Sequence, residues 1–285
     1  MTWVVQAGDP CTVAAIVAAL PAFDAARIFL NGRPAALEDE VEPGDRIDLY
    51  PRREVKRGAL VVLAQRDGIL LVEKPAGLPS ETTKLGEDSV VSELLRAMNG
   101  GHVHAATRLD VAVSGVVACS LGRDASRRFE EWRENGQVRR TYLAVARDRE
   151  LASEGVWDVA LARGRDRAGR DIARANGPDA VTARTRYRIL RRARGLLLEL
   201  TPETGRMHQL RAHAAIAGVP LYGDRLYGGP SSIVGADGRV LPLDRVALHC
   251  VRIELPVLEA TAPVPEALRQ AWRALGGEDG DWPMG

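Results

Sequence analysis

The residues of this chain best suited to chemistry are one acid, a tyrosine, two histidines and several arginines, scattered far apart along the sequence. Asp110 sits in Thr107-Arg-Leu-Asp-Val-Ala-Val-Ser-Gly115, between Leu109 and Val111 and just ahead of the apolar Val116, Val117 and Ala118. A carboxylate drawn into an apolar run loses hydration, at a cost of several kcal/mol unless a cation or hydrogen-bond donors replace the water. Asp110 therefore needs a partner, and the simplest readings pair it with Arg108 at a turn or make it a helix cap. Tyr142 lies in Arg139-Arg-Thr-Tyr-Leu-Ala-Val-Ala146, and His208, Arg211 and His213 lie in the stretch from Thr204 to Gly218. A lone carboxylate with arginines and a tyrosine can act as a nucleophile or in acid–base catalysis. Other chemistries lack their signatures. The sequence has no GxxxxGK[ST] phosphate loop, no GxSxG elbow around Ser114 and no HExxH. His208 and His213 are five residues apart, a spacing that does not align two ligands on a helix, so a metal site is not expected. Cys11, Cys119 and Cys250 are odd in number and far apart, which excludes a disulfide framework and suits a reducing cytoplasm.

The elements that must position these groups can be read from periodicity. Residues 1–54 form a candidate small domain: Val13 to Leu20 reads as a short helix, Arg27 to Arg33 as a strand entering an Asn31-Gly32 hairpin, and Val41 to Tyr50 as a turn and strand. Residues 51–58 read as a charged linker. From Leu60 onward, apolar runs predict a strand ending in the rigid Lys74-Pro-Ala-Gly-Leu-Pro79 loop, a helix over Ser89 to Met98 capped by Asp88 or Ser89, and a charged helix over Ala125 to Asn135 stopped by Gly136. Arg139 to Ala146 alternates as a strand with Tyr142, Ala144 and Ala146 on one face. Leu196 to Thr201 is a further strand, Thr204 to Gly218 a helix with His208, Arg211 and Ala215 near one face, Val219 to Gly229 a glycine-rich loop and Val246 to Leu255 the last strand. Many strands in meander order with few helices predict an α+β fold on a mixed, mainly antiparallel central sheet with flanking helices. A catalytic domain over residues 55–258 and a C-terminal tail over 259–285 complete the expected organisation.

With 285 residues and 46% hydrophobic content, the chain can bury a large core. Its net charge of +1 announces no nucleic-acid partner. Yet of 39 basic residues all but Lys56, Lys74 and Lys84 are arginine, the side chain that forks onto phosphate and stacks on bases. Eleven of these arginines crowd residues 163–194 against Asp166, Asp171 and Asp179; they predict either a solvated hairpin or, the reading favoured here, a phosphate-tracking edge. Val13 to Leu20 is too short to span a bilayer and no basic residue precedes it, so neither a signal peptide nor a membrane helix is expected.

Four ordered segments resemble the RluA-type family of pseudouridine synthases: Glu73-Lys-Pro-Ala-Gly-Leu-Pro79, Arg108-Leu-Asp-x-x-x-Ser-Gly115, Arg140-Thr-Tyr-Leu-Ala144 and Thr204-Gly-Arg-x-His-Gln-Leu-Arg211. Gly223-Asp-x-x-Tyr-Gly228 and Leu248-His249 fit later landmarks, so the resemblance runs over roughly residues 60–256. Two departures stand out: Val113 replaces a frequent threonine, and the loop after Pro79 lacks the usual histidine. The pattern LNGRPA…VEPGDRIDLYP of the N-terminal unit resembles the small RNA-binding domain named after ribosomal protein S-four.

The resemblance implies the pseudouridine synthase fold and an isomerase that breaks the bond from ribose to the ring nitrogen of a uridine, turns the uracil and rejoins it through ring carbon five. Asp110 would be the catalytic residue, attacking the anomeric carbon or removing a proton from the neighbouring ribose carbon. Arg211 would be its partner, in a charge-assisted pair that keeps it ionised and aimed. Tyr142 would stack on the uracil and relay a proton at the ring carbon, and Leu210 would pack behind the base. Arg108 would fill the space left by the extruded base, or form a structural ion pair. Arg206 and His208 would orient the loop and sheet of the substrate site, and Lys74 and Pro75 would be architectural. Ribosomal or transfer RNA is the expected partner, with no metal, no organic cofactor and no membrane, and with the chain a cytoplasmic monomer. The rivals are a non-catalytic RNA-binding or ribosome-assembly protein that keeps the fold, and an RNA-cleaving enzyme, which the missing histidine pair and metal cluster argue against.

Overall fold

The computed structural model describes residues 2–19, 25–51, 60–82 and 88–283. They divide into two compact units, a small one made chiefly of Met1–Gly58 and a large one made chiefly of the chain from Ala59 on. The expected linker lies, apart from Pro51, outside the described residues, as do Leu20 and the threonine and lysine that end the loop after Pro79.

The small unit holds β1 (Thr2–Val4), α1 (Val13–Ala19), β2 (Ala25–Leu30), β3 (Arg33–Pro34) and β4 (Arg46–Pro51), with its sheet in the order β1-β4-β2-β3. Asn31 and Gly32 turn β2 into β3 with φ of 50° and 78°, the left-handed pair that a tight two-residue hairpin needs. Val5, Val13, Ile16, Ile28 and Ile47 form its own core.

The large unit contains β5 (Val61–Arg66), β6 (Ile69–Lys74), α2 (Val90–Ala97), β7 (Val103–Ala105), β8 (Ser114–Leu121), α3 (Arg123–Glu134), β9 (Arg139–Arg147), β10 (Glu154–Asp158), β11 (Leu161–Arg165), β12 (Asp171–Ala175), β13 (Arg184–Arg192), β14 (Gly195–Pro202), α4 (Gln209–Ile216), β15 (Ser232–Val234), β16 (Val240–Pro242), β17 (Leu248–Glu254), β18 (Glu259–Thr261) and α5 (Glu266–Ala274). Its main sheet runs β10-β13-β14-β9-β17-β8-β6-β5, with β18 beside β17 and β7 beside β8. The β17–β8 pair is parallel and its neighbours are antiparallel, so the fold is α+β on a mixed sheet. Ser114 to Ser120 of β8 are all buried, which explains why that strand reads as a continuous apolar run rather than an alternation. Helix α2 starts where expected: Ser89 Oγ accepts from Ser92 N at 3.0 Å while Ser92 Oγ accepts from Ser89 N at 2.8 Å, a reciprocal cap.

Two expectations need correction. Residues 259–283 are not a tail: β18 extends the sheet, and Leu268, Ala271, Trp272, Leu275 and Trp282 are buried in one cluster with Leu143, Val145 and Leu197. The amphipathic spacing of α5 carried that signal, and the flanking prolines and acids masked it. The helix predicted over Thr204 to Gly218 begins only at Gln209. His208 precedes it with φ of 52°, so a left-handed residue, and not the helix, places its side chain.

Candidate active site

Asp110 lies in the loop between β7 and β8, and buried groups fix that loop at several points. Ser80 Oγ takes Leu109 N–H at 3.0 Å and donates back to Leu109 O at 3.2 Å, gripping one residue by both peptide groups. Gly77 N donates to Val111 O at 2.6 Å, and Val113 N closes a turn onto Asp110 O at 2.9 Å. Lys74, fully buried, donates its three ammonium hydrogens to Leu78 O at 2.7 Å, Pro75 O at 3.0 Å and Val111 O at 3.5 Å. Burial pulls its pKa down to about 7, Arg245 pushes the same way and Asp110 opposes them. Behind the loop, Gly115 lies against β17 so closely that a Cβ would sit 2.1 Å from Cys250 O; only glycine fits there. Ser114 hydrogen-bonds His249 Nδ1 at 2.7 Å and accepts from Arg245 Nη2 at 2.7 Å. The Ser-Gly that follows Asp110 is thus where β8 docks on β17.

Arg211 reaches Asp110 from the first turn of α4, about a hundred residues along the chain, with Nη1 2.7 Å from Asp110 Oδ2. The same guanidinium makes a second and better-buried pair that sequence reasoning did not assign: Nε and Nη2 donate to the two oxygens of Asp224 at 2.7 and 2.8 Å. The side chains of Arg211 and Asp224 are 8% and 1% exposed, whereas that of Asp110 is 28% exposed. Burial alone would lower the pKa of Arg211, but the bonds to Asp224 and then Asp110 raise it above the usual arginine value. One cation therefore serves two acids. Asp224 is sealed behind it as a clamp, and Asp110 stands at the surface. Among the described residues no protein group bonds Asp110 Oδ1, so one carboxylate oxygen is held and the other is open.

Beside this pair, Tyr227 O–H accepts Ala173 N–H at 2.7 Å and lies 3.1 Å from His208 Nδ1. Tyr227 and His208 are thus joined through Nδ1, and the other imidazole nitrogen is turned toward Asp110. That nitrogen, Nε2, lies 3.8 Å from Asp110 Oδ2, beyond hydrogen-bond distance. The left-handed backbone at His208, which shortened the helix, is what aims the ring this way. Gln209 pegs the bend: its Oε1 accepts from Thr204 Oγ1 and Arg206 N, and its Nε2 donates to Arg184 O and Thr185 Oγ1. His213, on the buried side, bonds Thr185 Oγ1 and Val159 O.

The remaining predicted residues divide into two groups. Tyr142 is 5% exposed beside Leu200 and Cys250. Burial, then Cys250, drives its phenol far above the usual value, with Arg140 opposing and Asp110 adding. Leu210, 7% exposed, lies next to Arg211 in α4. Arg108 and Arg206 are not drawn to Asp110. Arg108 pairs with Glu81 at 3.1 Å on a side chain 67% exposed, and Arg206 Nε donates to Thr182 O at 2.9 Å. In the arginine-rich segment, β13 meets acids from elsewhere in the fold: Arg184 and Arg186 pair with Glu203, Arg188 with Glu199, Arg191 with Asp281 and Arg192 with Asp148.

Sequence reasoning missed roles for Asp224, Tyr227, Ser80 and Gln209. The first two were visible as the Gly223-Asp224…Tyr227 pattern of a glycine-rich loop, but nothing local ties that loop to α4. Among the described residues no helix is long and apolar enough to cross a membrane.

Comparison with known proteins bears on this arrangement. The family model described as RNA pseudouridylate synthase matches residues 68–216, which include Asp110, Tyr142 and Arg211. A "ribosomal large subunit pseudouridine synthase D" of Xylella fastidiosa is 34% identical over 279 residues, covering 87% of this chain and 81% of that protein. A "tRNA pseudouridine synthase C" of Salmonella typhi is 33% identical over 210 residues, covering 69% and 80%. Among solved structures, the human RNA pseudouridylate synthase domain containing 4 protein shares the fold with a TM-score of 0.59 at 23% identity, over 75% of this chain and 92% of that one.

Proposed function

The chain belongs to the RNA pseudouridylate synthase family, and on that premise we propose that Asp110 is its catalytic residue, acting on a uridine of ribosomal or transfer RNA. The enzyme is an isomerase that converts uridine in RNA to pseudouridine. The observation that carries the assignment is the unequal sharing of Arg211: Asp224 is sealed and bidentate, while Asp110 is accessible and keeps Oδ1 open. Oδ1 is the oxygen that attacks the anomeric carbon or takes the neighbouring ribose proton. Arg211 holds Oδ2, with His208 Nε2 3.8 Å away, which offsets the negative charge of the carboxylate and fixes its direction.

Tyr142 contributes its ring. A phenol this resistant to ionisation is a poor acceptor for the proton that leaves ring carbon five, so stacking on the uracil is the part of its role that its burial favours, and Leu210 backs the base. Arg108, exposed and bound to Glu81 by an ion pair worth about 0–1 kcal/mol, can leave that partner to occupy the gap of the extruded base, whose unstacking costs a few kcal/mol. Arg206 and His208 hold the bend before α4. The names of the relatives support both RNA classes. The small N-terminal unit, including Met1–Gly58, is assigned RNA binding on its turn-and-strand pattern, and the chain is assigned to the cytoplasm as a monomer.

The test is tritium release from RNA labelled at uracil carbon five. Wild type should release tritium and Asp110→Asn should not, with RNA binding retained. Release by Asp110→Asn would refute the assignment; no release by wild type on cellular RNA would favour the non-catalytic rival. Mapping the pseudouridines lost on gene deletion then identifies the RNA.

A further inference from the structure

We infer that a cavity beneath Arg147 and Arg194, on the opposite face of the sheet from Tyr142, is a binding site for a phosphoryl group. Along β9 the side chains alternate, so Tyr142, Ala144 and Ala146 take one face and Leu143, Val145 and Arg147 the other. Tyr222 packs with Leu143, Val145 and Leu197 in the cluster that includes Trp272 of α5. The cavity, of about 430 Å³, has Arg147, Arg194, Tyr222, Gly228, Pro230 and Ser232 among its lining residues. It therefore belongs to the α5 side and not to the Asp110 centre.

Its donors are unclaimed. Among the described residues, the guanidinium of Arg147 and the hydroxyls of Tyr222 and Ser232 have no hydrogen-bond partner, and neither arginine has a carboxylate partner. Arg194 is braced by peptide carbonyls, Nη1 on Val234 O at 2.9 Å and Nη2 on Ala274 O. A guanidinium has five N–H hydrogens, so three remain for a ligand. Burial raises the pKa of the Tyr222 phenol while Arg147 and Arg194 both oppose the rise, which places both cations near its hydroxyl. Asp148 also acts on that phenol, but its carboxylate is taken by Arg192. Two cations and two hydroxyls converging on a cavity, without an acid to neutralise them, form a donor set suited to the oxygens of a phosphoryl group. A carboxylate would use only part of it.

The wall of this cavity is also the loop that supplies Asp224. Gly223 N donates to Pro230 O at 2.7 Å and Gly229 N to Asp224 O at 2.8 Å, so Tyr222, Gly228 and Pro230 form one face of a compact turn whose other face clamps Arg211. The phosphoryl group could belong to a phosphodiester of bound RNA or to a free mononucleotide. The RNA source rests on the RNA-substrate reading; the free source does not.

Both arms use the full chain, with Arg147→Ala, an exposed change, and Tyr222→Phe, which removes one hydroxyl. In the first arm, anisotropy of a labelled single-stranded RNA is followed across a salt series. Arg147→Ala should make the slope of log affinity against log salt shallower by about 0.7, the value of one phosphate contact, and Tyr222→Phe should weaken binding about threefold at every salt. In the second arm, uridine 5′-monophosphate, but not uridine, should raise the melting temperature of wild type and not of Arg147→Ala. Either result supports the site and identifies its source. An unchanged slope together with no stabilisation by the monophosphate overturns it, and if such a protein still releases tritium the catalytic reading stands without the cavity.

Discussion

The two acids on Arg211 make a prediction that can be worked through in free energy. Replace Arg211 by Met, which keeps most of the side-chain volume and removes the charge. Asp224, 1% exposed, is then a buried carboxylate with both oxygens stripped of their donors, a loss of about 3–5 kcal/mol for breaking a buried pair from one side. Asp224→Asn is milder. It removes two charge-assisted bonds, about 1.5–3 kcal/mol, but Arg211 keeps Asp110. The double variant carries neither charge, so its loss should fall short of the sum by about 2–3 kcal/mol. At roughly 2 °C per kcal/mol for a chain of this size, Arg211→Met alone should melt about 6–10 °C below wild type, and adding Asp224→Asn should not deepen the loss. Thermal melts of the four proteins decide it. Strict additivity, or an Arg211→Met protein melting within about 1 °C of wild type, would show that the clamp is not a desolvated pair.

Three further outcomes follow from the same site. Asp110→Asn should abolish activity yet melt within about 2 °C of wild type, because Asp110 is 28% exposed and pairs at such exposure contribute about 0–1 kcal/mol; a larger drop would place Asp110 with Asp224 as a structural acid. Tyr227→Phe removes the hydroxyl bonded to His208 Nδ1, so kcat should fall about tenfold, the kinetic equivalent of one net hydrogen bond, with KM little changed; a change confined to KM would point to substrate contact instead. Lys74 titrates near pH 7 when folded and near 10.4 when unfolded, so the unfolded chain binds the extra proton between those values and wild type should gain stability as pH rises from 7 to 9. Lys74→Met cannot share that gain, and the gap in unfolding free energy between the two, read from urea titrations, should widen by up to about 1.4 kcal/mol per pH unit; a constant gap would mean Lys74 stays charged throughout.

Much of this arrangement was legible in the sequence because it is local or patterned. Apolar runs and alternation marked β6, β9, β14 and β17, and Ser89 announced α2. Asp110 announced a need for a cation. What the residues alone left open was which cation, since Arg108 is two positions away and Arg211 lies across the fold; family resemblance supplied Arg211. Asp224 escaped because its burial is created by the docking of a loop whose glycines and polar residues look solvent-exposed. The end of the helix that carries Arg211 was misplaced for a related reason. Propensity favours helix through Met207 and His208, but Gln209 and Tyr227, both engaged by tertiary contacts, hold His208 in a left-handed turn that no local rule prefers. The C-terminal segment was misjudged because α5 is nine residues long and owes its stability to Trp272 in a distant core rather than to its own sequence.

The arginines show why charge counted along a chain is a weak guide to where RNA binds. Within residues 163–194 the local count is eleven cations to three acids, yet β13 lies beside β14, and the acids that answer Arg184, Arg186 and Arg188 are Glu199 and Glu203 on that neighbour or just beyond it. Arg191 and Arg192 find Asp281 and Asp148 at still greater separation. An arginine in such a pair must give up its acid, or share it, before it can release counterions from a phosphate, so its contribution to the salt dependence is less than one full contact. The arginines able to act at full strength are those the fold leaves without a carboxylate. Among the described residues these include Arg163 and Arg167 about the β11–β12 hairpin and Arg147 and Arg194 at the cavity below α5. A protein with a net charge of +1 can thus hold a polyanion. Its acids are spent on some arginines, which concentrates the unneutralised positive charge at a few places rather than spreading it over the surface.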